Sequence, residues 1–150
     1  MNDKIRAKIR ALLDAHRIMT IATLRPDGWP QATTVGYVND GDTLYFLCGL
    51  DSQKAANLAK DNRVSATIDR DTDDLMAITG LSMAAHAIRV TDRGEALRVL
   101  NLLPAKYPPD TKVPFSMPTP DDVAIFRLEP KVISVLDYSK GFGHTDLVSF

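Results

Sequence analysis

The chain has 150 residues, and 18 basic against 19 acidic side chains leave a net charge of −1. With 45% hydrophobic and 25% charged residues, it has the composition of a single globular domain able to bury a core without staples. The balanced charge excludes a sequence-independent DNA binder, the single Cys48 excludes an internal disulfide and paired-cysteine zinc patterns, and no apolar run reaches the ~18 residues of a membrane span. The first residues carry Asp3, Lys4, Arg6, Lys8 and Arg10 and lack the apolar centre of a signal peptide, so the sequence reads as a reduced, cytoplasmic protein.

Asp3 to Ala15 reads as an amphipathic helix, with Ile5, Ile9, Leu12 and Leu13 on one stripe. Ile18–Leu24, Gln31–Val38 and Thr43–Cys48 read as strands. The turns Arg25–Pro26–Asp27–Gly28 and Asn39–Asp40–Gly41–Asp42 join them into an antiparallel meander. Ser52 to Lys60 is a short helix, capped by Asp51 or Ser52, with Ala55, Leu58 and Ala59 on one side. Val64–Ile68 is a fourth strand, and the acidic loop Asp69–Asp74 lacks the spacing and glycine of a calcium site. Leu75–Val90 is a long β segment in which Gly80 signals a bulge or a close backbone approach. Thr91–Leu103 is a second clear helix, opened by a box-like Asp92 and Glu95. Pro104–Pro120 holds six of the nine prolines and reads as a long loop, neither helix nor central strand. Val123–Leu128 and Val132–Asp137 are two last strands broken at Glu129–Pro130, followed by a tail over 138–150. Consecutive strands without βαβ alternation point to a closed or partly closed antiparallel barrel in one domain, and no Gly-x-Gly-x-x-Gly follows a strand.

The stretch Leu44 to Lys54 is the most informative for chemistry. A strand ends, Gly49–Leu50–Asp51 turns, and a helix begins with the hydroxyl of Ser52, the amide of Gln53 and the ammonium of Lys54. Free N–H groups of a first helical turn and the helix dipole favour an anion there, so the pattern suits a phosphate, although an ordinary N-cap followed by a surface lysine reads the same way.

The order of helix, Asp-Gly hairpins, Leu-Tyr-Phe strand, Asp51–Ser52–Gln53–Lys54, Asn57–Leu58 and Asp61–Asn62–Arg63–Val64 resembles the pyridoxamine 5′-phosphate oxidase-like flavin-binding split barrels. The resemblance implies a mainly β fold with inserted helices, a six-stranded antiparallel split barrel of Greek-key-like order, and a homodimer holding FMN at its seam. It implies that Ser52, Gln53 and Lys54 hold the FMN phosphate and that Leu47, Cys48, Thr33, Thr34 and Val35 line the ring. The expected activity is that of an oxidoreductase acting on a small molecule. A non-catalytic flavin or haem carrier and a deazaflavin-dependent reductase are the rivals on the same fold.

The departures from the family pattern are equally specific. Pro30 and Val35 stand where the oxidases proper carry arginine and lysine, Gln53 replaces an arginine, Leu75 replaces a glutamine, and the arginine-containing C-terminal signature is missing. These changes argue against vitamin B6 phosphate as substrate. Among the histidines, His16 suits a helix C-terminus and His86 lies in an alternating strand. His144, in the Gly141–Phe142–Gly143 tail with Asp146 two residues on, is the acid–base candidate.

Overall fold

Gly28 and Gly41 take positive φ (88° and 61°), and these two turns fold the first strands back on one another. The computed structural model describes residues 2–108 and 117–150. In chain order it contains α1 (Asp3–Ala15), β1 (Ile18–Leu24), β2 (Pro30–Asp40), β3 (Thr43–Gly49), α2 (Gln53–Lys60), β4 (Arg63–Asp69), β5 (Thr79–Arg89), α3 (Arg93–Asn101), α4 (Leu103–Lys106), β6 (Val123–Asp137) and β7 (Thr145–Ser149). All pairings are antiparallel. The order is β3-β2-β1-β4-β5-β6-β7, and a further β3–β6 pairing closes six strands into a barrel with β7 outside on β6. The step from β3 back to β4, which pairs with β1, gives the Greek-key-like order expected from the resemblance.

Strand alternation decides which faces are inside. In β4, Val64, Ala66 and Ile68 are buried while Arg63, Ser65 and Thr67 are exposed. The barrel interior joins these to Met19, Ile21, Phe46, Met83 and Phe126, and α1 buries Ile9 and Leu13 in the same cluster. Phe46 and Phe126 stack there at 5.4 Å. A second cluster lies outside the barrel, where Ala96, Val99 and Leu100 of α3 cover Val38, Tyr45 and Ile125.

Several expectations need correction. β6 runs unbroken through Pro130, because the register shift between Ala84 and Ala85 places Pro130 and Lys131 at a β-bulge, where a missing N–H is tolerated. The segment from Leu75 begins as a 3₁₀ turn over Leu75–Ala77, and the strand starts only at Thr79. Leu103–Lys106 is helical, with Pro104 in the first turn where its absent N–H costs nothing. The rest of the proline-rich stretch, 109–116, lies outside the described residues. The tail contributes β7, which residue pattern alone did not reveal. Asp92 caps α3 through the Glu95 N–H (2.8 Å), but the Glu95 carboxylate turns to Arg127 (2.8 Å) and Tyr45 Oη (3.0 Å), not back to the cap. Gly80 is a close approach and not a bulge: a methyl group there would strike the Ile68 carbonyl oxygen and lie 3.1 Å from Asp69 Cβ.

Gly80→Ala is therefore expected to lower the free energy of unfolding by about 1–3 kcal/mol, the usual cost of overpacking a tight site. Urea denaturation checks this, and an unchanged midpoint would contradict it.

Candidate functional site

β2 and β3 pair only over Tyr37–Asp40 and Thr43–Phe46. Beyond that point Pro30–Gly36 stay with β1, whereas Leu47–Gly49 keep only their pairing with Val123–Ile125 of β6. The two strands diverge and leave an opening in the barrel wall. The turn Gly49–Leu50–Asp51 follows directly, so α2 begins beside the opening and packs on β1 and β3. Ser52 is its N-cap, with Oγ accepting from the Ala55 N–H at 3.1 Å. The Lys54 ammonium reaches across to β2 and donates to Thr33 Oγ1 at 2.7 Å, and it has no carboxylate partner among the described residues.

A buried polar network holds α2 in this position. Asn57 is fully buried. Its Nδ2 donates to Thr23 Oγ1 (2.9 Å) and Gln31 Oε1 (3.3 Å), and its Oδ1 accepts from Gln53 Nε2 (2.8 Å). Residues 53 and 57 meet because they lie one turn apart on α2. The Gln53 amide is thus committed to the network. The buried side of α2 carries Asn57 and Leu58, while Ala59 is exposed, unlike the expected Ala55–Leu58–Ala59 stripe. Sequence reasoning gave Asn57 no role. Its signals were the Asn57–Leu58 pair within the family resemblance and a polar side chain on the helix face that also carries Leu58.

The remaining candidates divide between two faces. Val35 and Cys48 pack against the barrel cluster, on the same side as Thr33 and Gln31. Thr34 projects from the opposite, exposed face of β2, in register with Thr20, and Leu47 packs into the cluster under α3. His144 lies elsewhere: its carbonyl accepts from the Asp137 N–H at the end of β6 far from Val123, and its Nε2 is 3.4 Å from Asp146 Oδ2. His86 Nδ1 meets Asn62 Oδ1 and His16 Nδ1 meets the Leu12 carbonyl, each at 2.8 Å. Leu75 is exposed in its 3₁₀ turn.

The opening brings together one unpaired ammonium, a capping hydroxyl and the outward N–H groups of a first helical turn. That donor set fits a phosphate monoester held by a single cation. Beside it lie the short, mostly apolar side chains of Thr33, Val35 and Cys48, which fit a flat ring. Pro30 and Val35 add no second charge.

The family model described as pyridoxamine 5′-phosphate oxidase matches residues 5–137. No curated protein gives a significant match. Among solved structures, a conserved hypothetical protein from Mycobacterium tuberculosis is 25% identical, covering 97% of this chain and 91% of its own, with a TM-score of 0.77. A haem-binding protein from Mycobacterium smegmatis is 21% identical over 99% of this chain and 59% of its own, with a TM-score of 0.74. The haem storage protein HutZ from Vibrio cholerae is 18% identical over 95% and 92%, with a TM-score of 0.66. Among the described residues no helix is long and apolar enough to cross a membrane, and no three metal-ligating side chains cluster.

Replacing Asn57 by alanine would leave Thr23 buried without its partner and free the Gln53 amide. The expected loss is about 1–3 kcal/mol of unfolding free energy, the cost of an unsatisfied buried polar group. Chemical denaturation reads it, and a loss no larger than that of a surface substitution would contradict this role for Asn57.

Proposed function

The chain belongs to the pyridoxamine 5′-phosphate oxidase family, and we propose on that footing that it is an FMN-binding oxidoreductase acting on a small molecule. The observation that carries this reading is the Lys54 ammonium, poised over the opening on Thr33 with no carboxylate among the described residues to neutralise it. An unpaired cation at a helix start is stabilised when an anion arrives. Lys54 and the α2 N–H groups would hold the phosphate, with the Ser52 hydroxyl as a further donor. Gln53 acts through Asn57 by fixing the angle of α2. Thr33, Val35 and Cys48 would flank the isoalloxazine. The bound flavin supplies the electron transfer, and the protein contributes position, exclusion of water and hydrogen bonds.

The reading includes a second copy of the chain. The outer faces of β1, β2, β4 and β5 carry short, exposed or half-exposed side chains in register: Thr34 beside Thr20 and Thr67, and Ala32 beside Ala22 and Ser65. Such a face can approach another sheet closely, and a homodimer formed there would cover the sheet beside the cofactor cleft. His144, at the far end of β6, is distant along the strand from Cys48 and is retained as an acid–base candidate only for a cleft completed by the partner. Pro30 and Val35, which stand where the oxidases proper carry arginine and lysine, support a substrate other than vitamin B6 phosphate.

Haem is the competing ligand, because two structural neighbours are described as haem proteins. None of the three histidines hydrogen-bonds with Thr33, Ser52 or Lys54, so the side chain beside the opening able to ligate iron is the free Cys48. A deazaflavin shares the phosphate chemistry and would compete for the same donors.

Protein incubated with FMN and then dialysed is expected to keep a two-band flavin absorption spectrum. Lys54→Ala should weaken binding by about tenfold or more, the effect of losing a charge-assisted hydrogen bond. Lys54→Arg should restore part of it. Loss of all flavin on dialysis, with tight retention of haem or of a deazaflavin instead, would overturn the choice of cofactor.

A further inference from the structure

The fork between β2 and β3 falls between Tyr37, which pairs with Phe46, and Gly36, which has no β3 partner. The same two residues lie at the end of the β1 ladder, whose register with β2 runs to Ile18 opposite Gly36. One bond continues past it, from the Tyr37 N–H to the Arg17 carbonyl at 3.2 Å. A backbone at the end of two ladders has few main-chain bonds to fix its direction, and here side chains supply the rest.

Tyr37 is held at every polar atom. Its Oη lies 2.7 and 2.9 Å from the Leu13 and His16 carbonyl oxygens at the end of α1. The Lys106 ammonium sits 4.4 Å over its ring and donates to the Leu13 carbonyl and to Asn39 Oδ1 (3.0 Å). Its carbonyl oxygen lies 2.8 Å from Tyr107 Oη, which is also 2.6 Å from the Arg17 carbonyl oxygen, so one hydroxyl bridges the two chains beyond the last β1–β2 pair. Tyr107 reaches this point because it caps α4, with its N–H donating to the Leu103 carbonyl (2.8 Å), and because Arg17 Nε donates to the Lys106 carbonyl (3.0 Å). It also needs Gly36. A β-carbon there would stand 2.7 Å from Tyr107 Oη and 3.3 Å from Cζ. Gly36 is not among the positive-φ glycines, so it supplies room and not a special turn.

We propose that Tyr107, seated on Gly36, is a positioning residue for the candidate site. It fixes the direction in which Pro30–Gly36 leave the fork, and with it the placement of Thr33 and Val35 relative to Lys54 and Cys48. Pro30–Gly36 have β1 along one edge and, among the described residues, no strand along the other, so a swing at the fork passes directly to Val35 and Thr33. That this placement serves FMN rests on the reading above, whereas the clamp itself is independent of it.

The test compares the wild-type chain with Tyr107→Phe, Gly36→Ala and the double variant. Tyr107→Phe removes only the hydroxyl. Gly36→Ala displaces it, and in the double variant the new methyl meets a ring with no hydroxyl to strike. FMN dissociation constants from fluorescence titration are expected to rise about fivefold in each single variant, the worth of one hydrogen bond, and no further in the double. A role in stability alone would lower the urea midpoint and leave the dissociation constant of the folded chain unchanged. ¹⁵N relaxation dispersion on the chain without FMN is the second arm. Tyr107→Phe should bring μs–ms exchange to Thr33, Val35 and Tyr37, and not to Val64, Ala66 and Ile68 of β4. An FMN affinity untouched by Tyr107→Phe, single-variant effects that add in the double, or no new exchange in β2 would each overturn the proposal. A wild-type chain that binds no FMN, while Tyr107→Phe still loosens β2, would overturn the cofactor reading and uphold the clamp.

Discussion

In a closed barrel each strand satisfies its backbone groups on two neighbours, and the divergence of β2 from β3 leaves one edge of each without a strand partner over one stretch of wall. Everything at the candidate site follows from how the chain manages this gap. α2 is seated beside it, and the amide of Asn57 reaches both β1 at Thr23 and β2 at Gln31. Lys54 adds a third tie, to Thr33. The first two are buried or partly buried and mutually satisfied, so they set the helix rigidly. The third involves a charge that a neutral hydroxyl only partly compensates, which makes it the contact an incoming anion can replace.

Aromatic residues make up only 7% of the chain, a thin supply for a core, and the barrel accounts for it. A six-stranded barrel leaves little room, and its interior is filled by Ala66, Ala85, Ala87 and Ala124 around the stacked Phe46 and Phe126. α1 adds Ile9 and Leu13 to this cluster, while α3 builds a separate one on the outside. The remaining sheet face carries short side chains and neither helix, so the thin composition reflects both a narrow barrel and a face left open.

The strands of the first half were legible because alternation and Asp-Gly turns are local signals, and the start of α2 was legible because Ser52 is a local cap. What escaped was set by distant partners or by context. Pro130 looked like a strand break, yet the bulge against Ala84 and Ala85 accommodates it. Pro104 looked like a helix breaker, yet it sits in a first turn. β7 buries only Val148 and so carries hardly any alternation. Of the candidate site, Ser52, Lys54 and Thr33 were identified as individual residues, but the contact between the last two depends on where β2 leaves β3. Asn57 counted toward the resemblance, but its role in seating α2 was not legible because its partners on β1 and β2 are 34 and 26 residues away.

The central claim is that Lys54 and the start of α2 form a phosphate seat. The most direct measurement is ³¹P NMR of FMN added to the protein, paired with amide shifts of the ¹⁵N-labelled chain. The account predicts a displaced and broadened phosphate resonance, with amide shifts concentrated on Ser52 to Lys54 and on Thr33. A phosphate signal identical to that of free FMN, or amide shifts that leave α2 and β2 untouched, would contradict it.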